Sequence, residues 1–147
     1  MKILVTGGAG FIASHVVDKY IELGHEVQVV DDLSGGFEKN INPKAKFHKI
    51  DIRTPEFEEI IKSEKYDIIN HHAAQASVSV SVKKPILDAE SNIIASLRMI
   101  HASLESGVKK IIYANTGGAL FGEPDSLPVT EMTQIRPESP YGVSKFT

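Results

Sequence analysis

Two periodicities alternate along this chain. Short apolar runs of strand length fall at residues 1–6, 25–30, 45–50, 66–70 and 109–114. Between them lie helical patterns. Residues 14–23 form an amphipathic stretch closed by Gly24. Thr54 stands as a helix cap with Pro55 at the first helical position, ahead of 56–62. A long helix starts near Pro85 and runs to Ser106, with Gly107 as its stop. Within it Ile93, Leu97, Ile100 and Leu104 are spaced by four, three and four, which makes one apolar stripe. The segment 71–84, rich in Ala, Ser and Val, reads as a loop. Five strands alternating with helices predict an α/β protein, a doubly wound parallel sheet with helices on both faces.

Ligands of such sheets bind at the carboxyl ends of the strands. In this chain those ends carry Gly7 to Ile12, Asp31-Asp32, Asp51-Ile52, residues 72–76 and residues 115–118. The first is the most specific. An apolar strand, then Gly7-Gly8-Ala9-Gly10-Phe11-Ile12-Ala13, then a helix, is the start of a Rossmann-type dinucleotide site. Gly7 permits the tight turn, and Gly10 lacks the Cβ that would hold a pyrophosphate off the backbone. The open N–H groups and positive dipole end of the helix face the phosphates. Ala13 stands at the third glycine position and is still small enough for a helix to pack on a strand. Asp31 lies 24 residues after Gly7, where such folds place an acid on the adenine ribose. A carboxylate there accepts from both ribose hydroxyls and repels a 2′-phosphate, and no Arg stands beside it. The expected cofactor is NAD rather than NADP.

Composition narrows the classes. The chain has 147 residues, enough for one domain with a real core, with 41% hydrophobic and 24% charged residues. Its formal charge of −3 gives no electrostatic reason to bind nucleic acid or an anionic membrane. It has no cysteine, which excludes disulfides and thiolate metal sites. Its six histidines show no metal-ligand spacing, so no metal is expected. No apolar stretch reaches membrane-spanning length and the N-terminus enters a strand directly, so the expectation is a cytoplasmic protein.

Near the C-terminus, Tyr141 and Lys145 are four apart in Pro140-Tyr141-Gly142-Val143-Ser144-Lys145 and share one helix face. A free tyrosine, with a pKa of about 10, is a poor base at neutral pH. A lysine ammonium and a cationic nicotinamide ring nearby are expected to lower it.

Taken together these motifs resemble the extended short-chain dehydrogenase/reductase family. The resemblance rests on Thr6 to Ile12, Asp31-Asp32-Leu33, Asp51-Ile52-Arg53, His72 to Val78, Asn92, Gly118 to Gly122 and Tyr141 to Lys145, in the family's order. Within the family the chain is most similar to the NAD-dependent nucleotide-sugar epimerases. The resemblance implies that Gly7, Gly10, Phe11 and Ile12 hold the pyrophosphate and Asp31, with Asp32 beside it, the adenine ribose. It puts Asp51 and Ile52 at the adenine, and Ala73, Ala74 and Gln75 on the nicotinamide side. Lys84 and Asn92 match cofactor-contacting positions. Tyr141 is implied as the catalytic base and Lys145 as the group that binds the nicotinamide ribose and tunes it. The implied reaction interconverts UDP-glucose and UDP-galactose at C4 through a transient 4-ketosugar, in a homodimer when full-length.

Two departures qualify the match. The family's reactive Ser or Thr falls at Gly117, and the nearest hydroxyl is Thr116, which a small loop adjustment would bring into reach. Phe121 replaces the usual tyrosine. The chain also stops two residues after Lys145, where extended members continue into a nucleotide-sugar-binding domain. The expectation is an NAD-binding domain over 1–147, incomplete at its C-terminal end, with little or no turnover alone. The alternatives are a catalytically silent NAD-binding module, a UDP-glucuronate decarboxylase or a sugar-nucleotide dehydratase. Gly117 and Gly118 stand where a dehydratase carries Asp-Glu, which counts against the last.

Overall fold

The computed structural model describes all residues, Met1–Thr147. It divides into two compact units: Met1–Ala73 with Leu97–Ala114, and Ala74–Ser96 with Asn115–Thr147.

The first unit is the sheet. Its strands are β1 (Lys2–Thr6), β2 (Glu26–Asp31), β3 (Lys46–Lys49), β4 (Ile68–His71) and β5 (Lys110–Tyr113). They lie in the order β3-β2-β1-β4-β5, and every pairing is parallel. Val5 sits opposite Val29 on one side and Asn70 on the other. The order reverses between β1 and β4, so a ligand crevice is expected beyond their carboxyl ends.

Helix α1 (Phe11–Glu22) covers one face, where Ile3, Val5, Val27 and Val29 pack against Ala13 and Val17. Strand alternation puts Gln28 on the opposite face. There its amide donates to Glu64 of α2 (Pro55–Glu64) at 3.0 Å, and its carbonyl accepts the Tyr66 hydroxyl at 2.8 Å. Arg98 and Glu105 pair with Glu58 and Lys62 of α2, so the helix carrying them shares that face. Helices therefore cover both faces.

The second unit is helical. Helix α3 (Val78–Lys83) is followed by α4 (Pro85–Ala89), a π turn (Glu90–Ile94) and α5 (Ala95–Ser106), the last reaching into the first unit. Two more helices follow, α6 (Gly117–Phe121) and α7 (Pro140–Phe146), and α7 packs on α3, α4, the π turn and α6.

Four local readings change. Helix α1 begins at Phe11 rather than at 14, because Gly10 is its N-cap; exposed Phe11 and Ile12 break the amphipathic pattern there. Thr54 precedes α2, but its hydroxyl donates to the Asp51 carbonyl at 2.9 Å and does not cap the helix. The segment read as a loop contains α3, started by the Ser77 hydroxyl accepting the Val80 N–H. Alternating Val and Ser in that helix gave no helical period to read. Finally, the stripe in the long helix faces outward: Leu97, Ile100 and Leu104 are 57%, 42% and 77% exposed. The buried side of α5 is made of Ala95, Ser96, Met99, Ala102 and Ser103. No helix is long and apolar enough to cross a membrane.

Candidate functional site

The glycine turn is held from several sides. Gly7 has a φ of +71°, and a Cβ there would lie 2.7 Å from the Ala73 nitrogen. Its glycine is needed both for the turn and for the approach of the chain leaving β4. Thr6, fully buried, accepts the Ala73 N–H at 3.1 Å and shares a hydrogen bond with His71 Nδ1 at 2.7 Å. Ala9 donates its N–H to Asp31 Oδ2 at 3.0 Å, while its carbonyl accepts from the Phe37 N–H and the Asn40 amide. Asp31 Oδ1 takes the Leu33 N–H at 2.8 Å. Asp31 thus braces the turn as well as standing at the end of β2. Asp32 is exposed and accepts from Ser34 in its own turn.

The start of α1 suits an anion. Gly10 offers no side-chain cap, and the first turn holds no acid. The first amides of an α-helix have no partner within it. A diphosphate placed there would meet open N–H groups and the positive dipole end, without a competing carboxylate. The residues present therefore fit a dinucleotide. Asp51 is clasped by Arg53, whose Nε donates to both carboxylate oxygens at 3.0 Å. That contact holds the Asp51 carboxyl below its usual range, so it is ionised at neutral pH. Ile52 beside it is buried.

The second unit gathers the remaining residues. Ala74 is half-buried and Lys84 is exposed at the start of α4. Asn92, in the π turn, is 2% exposed. Its Oδ1 accepts the Gln75 N–H and its Nδ2 donates to the Gln75 carbonyl, both at 2.9 Å. The same Nδ2 reaches Asp88 Oδ1 at 3.1 Å and Ser144 Oγ at 3.2 Å. Asn92 therefore holds Gln75 by its backbone. The Gln75 side chain donates to Asp88 Oδ1 at 2.8 Å.

Helix α7 is capped by Ser139, whose hydroxyl accepts the Gly142 N–H at 3.1 Å, with Pro140 at its first position. Gly142 is required for packing: a Cβ there would lie 2.3 Å from the Ala119 carbonyl oxygen. This approach sets α7 against α6. Tyr141 and Lys145 are both buried. Thr116, at the N-cap of α6, does not use its hydroxyl as a cap, and that hydroxyl lies near enough to the Tyr141 phenol to pull its pKa down.

The electrostatics differ from expectation in one respect. Burial pushes the Tyr141 phenol above its ordinary value, and the charge of Asp88 adds to this, while the Thr116 hydroxyl opposes it. With protein groups alone, burial outweighs the expected lowering. Burial also pushes Lys145 down to about 8, against the charge of Asp88. Sequence reasoning missed Thr6, Asp88 and Ser144. Asp88 and Asn92 are four apart on one helix, a spacing at which polar side chains meet, and that was the available signal.

A doubly wound sheet with a glycine turn at its switch point, an acid at the end of β2 and a tyrosine–lysine pair on a later helix defines a dinucleotide-binding protein of the Rossmann class. Residues 3–147 match the NAD dependent epimerase/dehydratase family, and the chain belongs to that family. The UDP-glucose 4-epimerase of Thermotoga maritima, solved with UDP-glucose, is 49% identical with a TM-score of 0.95, over 99% of this chain and 48% of that one. The Thermus thermophilus UDP-glucose 4-epimerase in complex with NAD is 42% identical with a TM-score of 0.93, over 99% and 47%. The UDP-glucose 4-epimerase of Lactobacillus helveticus is 39% identical over 147 residues, 99% of this chain and 44% of that protein. The chain spans about half the length of the relatives it matches.

Proposed function

We propose that this chain is the NAD-holding portion of a UDP-glucose 4-epimerase. The observation that carries the reading is the buried pair Tyr141 and Lys145, one helical turn apart on α7, with the Thr116 hydroxyl near the phenol. When bound, NAD supplies the hydride acceptor and donor for the sugar C4. The start of α1 at Phe11 and Ile12, with Gly7 and Gly10, holds the pyrophosphate. Asp31 takes the adenine ribose, with Asp32 at its edge, and Asp51 and Ile52 take the adenine. Ala73, Ala74 and Gln75 line the nicotinamide side, with Gln75 fixed by Asn92. Lys84 is a surface cation for the cofactor.

In this reading Tyr141 removes the proton from the sugar 4-hydroxyl and later returns it. Thr116 hydrogen-bonds the same hydroxyl and steadies the phenolate, and Lys145 binds the nicotinamide ribose. The substrate is a UDP-hexose, and a cytoplasmic setting belongs to the same proposal. A second copy of the chain covers the outward stripe of Leu97, Ile100 and Leu104. Sedimentation tests this: a dimer that Leu104→Glu dissociates supports it, and a monomeric parent contradicts it.

The activity test follows UDP-galactose conversion with NAD supplied. It uses this chain joined to the remaining half of the Thermotoga relative. Conversion that is lost in Tyr141→Phe supports the reading. A joined protein that folds and binds NAD but converts nothing overturns it.

A further inference from the structure

Asp88 belongs to none of the motifs above, yet it is a carboxylate 1% exposed in the unit that carries Tyr141 and Lys145. A buried carboxylate is costly unless it is paired and hydrogen-bonded. Its Oδ1 accepts from Gln75 Nε2 at 2.8 Å and Asn92 Nδ2 at 3.1 Å. Both donors are neutral amides, so its charge is not balanced by them. Asp88 also lines a cavity of about 430 Å³ whose wall includes Pro85, Ala89, Ile93, Pro140 and Val143. Because Asp88 and Lys145 are 1% and 6% exposed, their charges are screened less than at the surface.

Two connections lead from Asp88 to the reactive helix. Helix α4, which carries it, packs on α7. Asn92 links it to Ser144 Oγ, and Ser144 donates to the Tyr141 carbonyl at 3.0 Å. Lys145 follows Ser144 directly and is itself 6% exposed. Glu138 shares the cavity wall with Asp88, Lys84 lies one turn earlier on its own helix, and the charge of Asp88 is felt by Tyr141 and Lys145 on α7.

We propose that Asp88 is a positioning residue for the Tyr141–Lys145 pair, its buried carboxylate balancing the Lys145 ammonium while its amide contacts fix Gln75 and the turn of α7. This rests on the reading of Tyr141 and Lys145 as the reactive pair. The charge acts with opposite sign on the two groups. It favours the lysine cation, which burial has brought down to about 8, and disfavours the phenolate. Its benefit is a lysine still charged at neutral pH despite burial.

The test is an NMR titration of the ε-carbon of Lys145, assigned by Lys145→Arg, in the parent and in Asp88→Asn. Asparagine keeps an acceptor oxygen toward Gln75 and Asn92 and removes only the charge. The expected result is a downward shift of the Lys145 midpoint in Asp88→Asn, because an opposite charge that favours the ammonium has been removed. An unchanged titration in a folded Asp88→Asn protein overturns the proposal, since a merely structural role would move stability and leave Lys145 alone. A second measurement needs no variant. The carboxyl carbon of Asp88 in the parent shows an inflection at the midpoint of Lys145, and absence of that shared inflection also overturns the proposal. Neither result depends on turnover. Failure of the epimerase reading would appear instead as a joined protein that folds and binds NAD but converts nothing, with the Lys145 titrations unaffected.

Discussion

The carboxylate of Asp31 accepts the backbone N–H of Ala9 at 3.0 Å, tying the end of β2 to the glycine turn that follows β1. The residue placed to read the ribose therefore also shapes the loop that receives the diphosphate. Its second oxygen holds the Leu33 N–H, at a residue whose φ of +62° is otherwise unfavourable for a branched side chain. Ribose recognition and turn geometry are coupled through one side chain.

Replacing it separates the two roles. Asp31→Ala leaves the buried Ala9 N–H without an acceptor, a destabilisation of about 1–3 kcal/mol. Asp31→Asn keeps an acceptor for only one of the Ala9 and Leu33 N–H groups, a smaller loss than Ala, which keeps neither, and removes the charge that repels a 2′-phosphate. Denaturant unfolding should show the larger loss for Ala. Calorimetry should show the preference for NAD over NADP narrowing in Asn. An Asn variant with undiminished preference would contradict the assignment of Asp31 to the ribose.

Gly142→Ala tests the seat of the reactive helix. The added methyl meets the Ala119 carbonyl, and backbone cannot yield as a flexible side chain can. A loss of about 1–3 kcal/mol is expected, as for other overpacked contacts. Tyr141 should titrate differently in the variant, because the influence of Thr116 on it depends on how α6 and α7 meet. Stability within a few tenths of a kcal/mol of the parent would show that the contact yields easily.

Thr116→Val removes the hydroxyl that favours the Tyr141 phenolate, so its loss should raise the titration of Tyr141 further above the ordinary value. Ultraviolet titration, with Tyr141→Phe identifying the signal, reads the change, and Thr116→Ser should restore it. A lower midpoint in Val would show that the hydroxyl does not stabilise the phenolate.

In the sheet unit, Glu64 accepts from Lys2, Lys46 and Gln28 at the end of α2. These contacts hold its carboxyl at about 2, below its ordinary 4.5. A carboxyl depressed in the folded state stabilises fully above its unfolded pKa and loses that contribution as pH falls through its folded value. The stability supplied here is complete above about 4.5, declines below it and is gone near 2. Glu64→Gln should be less stable than the parent at pH 7, and the gap should close on acidification toward the folded pKa. A gap independent of pH would assign the loss to packing.

Much of the fold was legible because its signals are local. The strand, Gly7 to Gly10 and the helix after them announce the dinucleotide turn within a short stretch, and Asp31 falls at the expected distance. Tyr141 and Lys145 were visible from spacing and order. Contacts between distant segments were not legible. Nothing near Thr6 in the sequence indicates that its hydroxyl meets Ala73 and His71, which the β1–β4 pairing brings beside it. Nor does the sequence show that Asn92 is consumed by Gln75, Asp88 and Ser144. The stripe of Leu97, Ile100 and Leu104 was visible, but periodicity alone does not say whether an apolar face meets the core or the outside. Here small residues took the inner face.

The most direct test of the account is a calorimetric titration of the 147-residue chain with NAD, with NADP in parallel. Saturable binding of NAD, with NADP much weaker and the preference reduced in Asp31→Asn, is the predicted result. No binding of either nucleotide by a chain whose circular dichroism shows it folded would contradict the account at its centre.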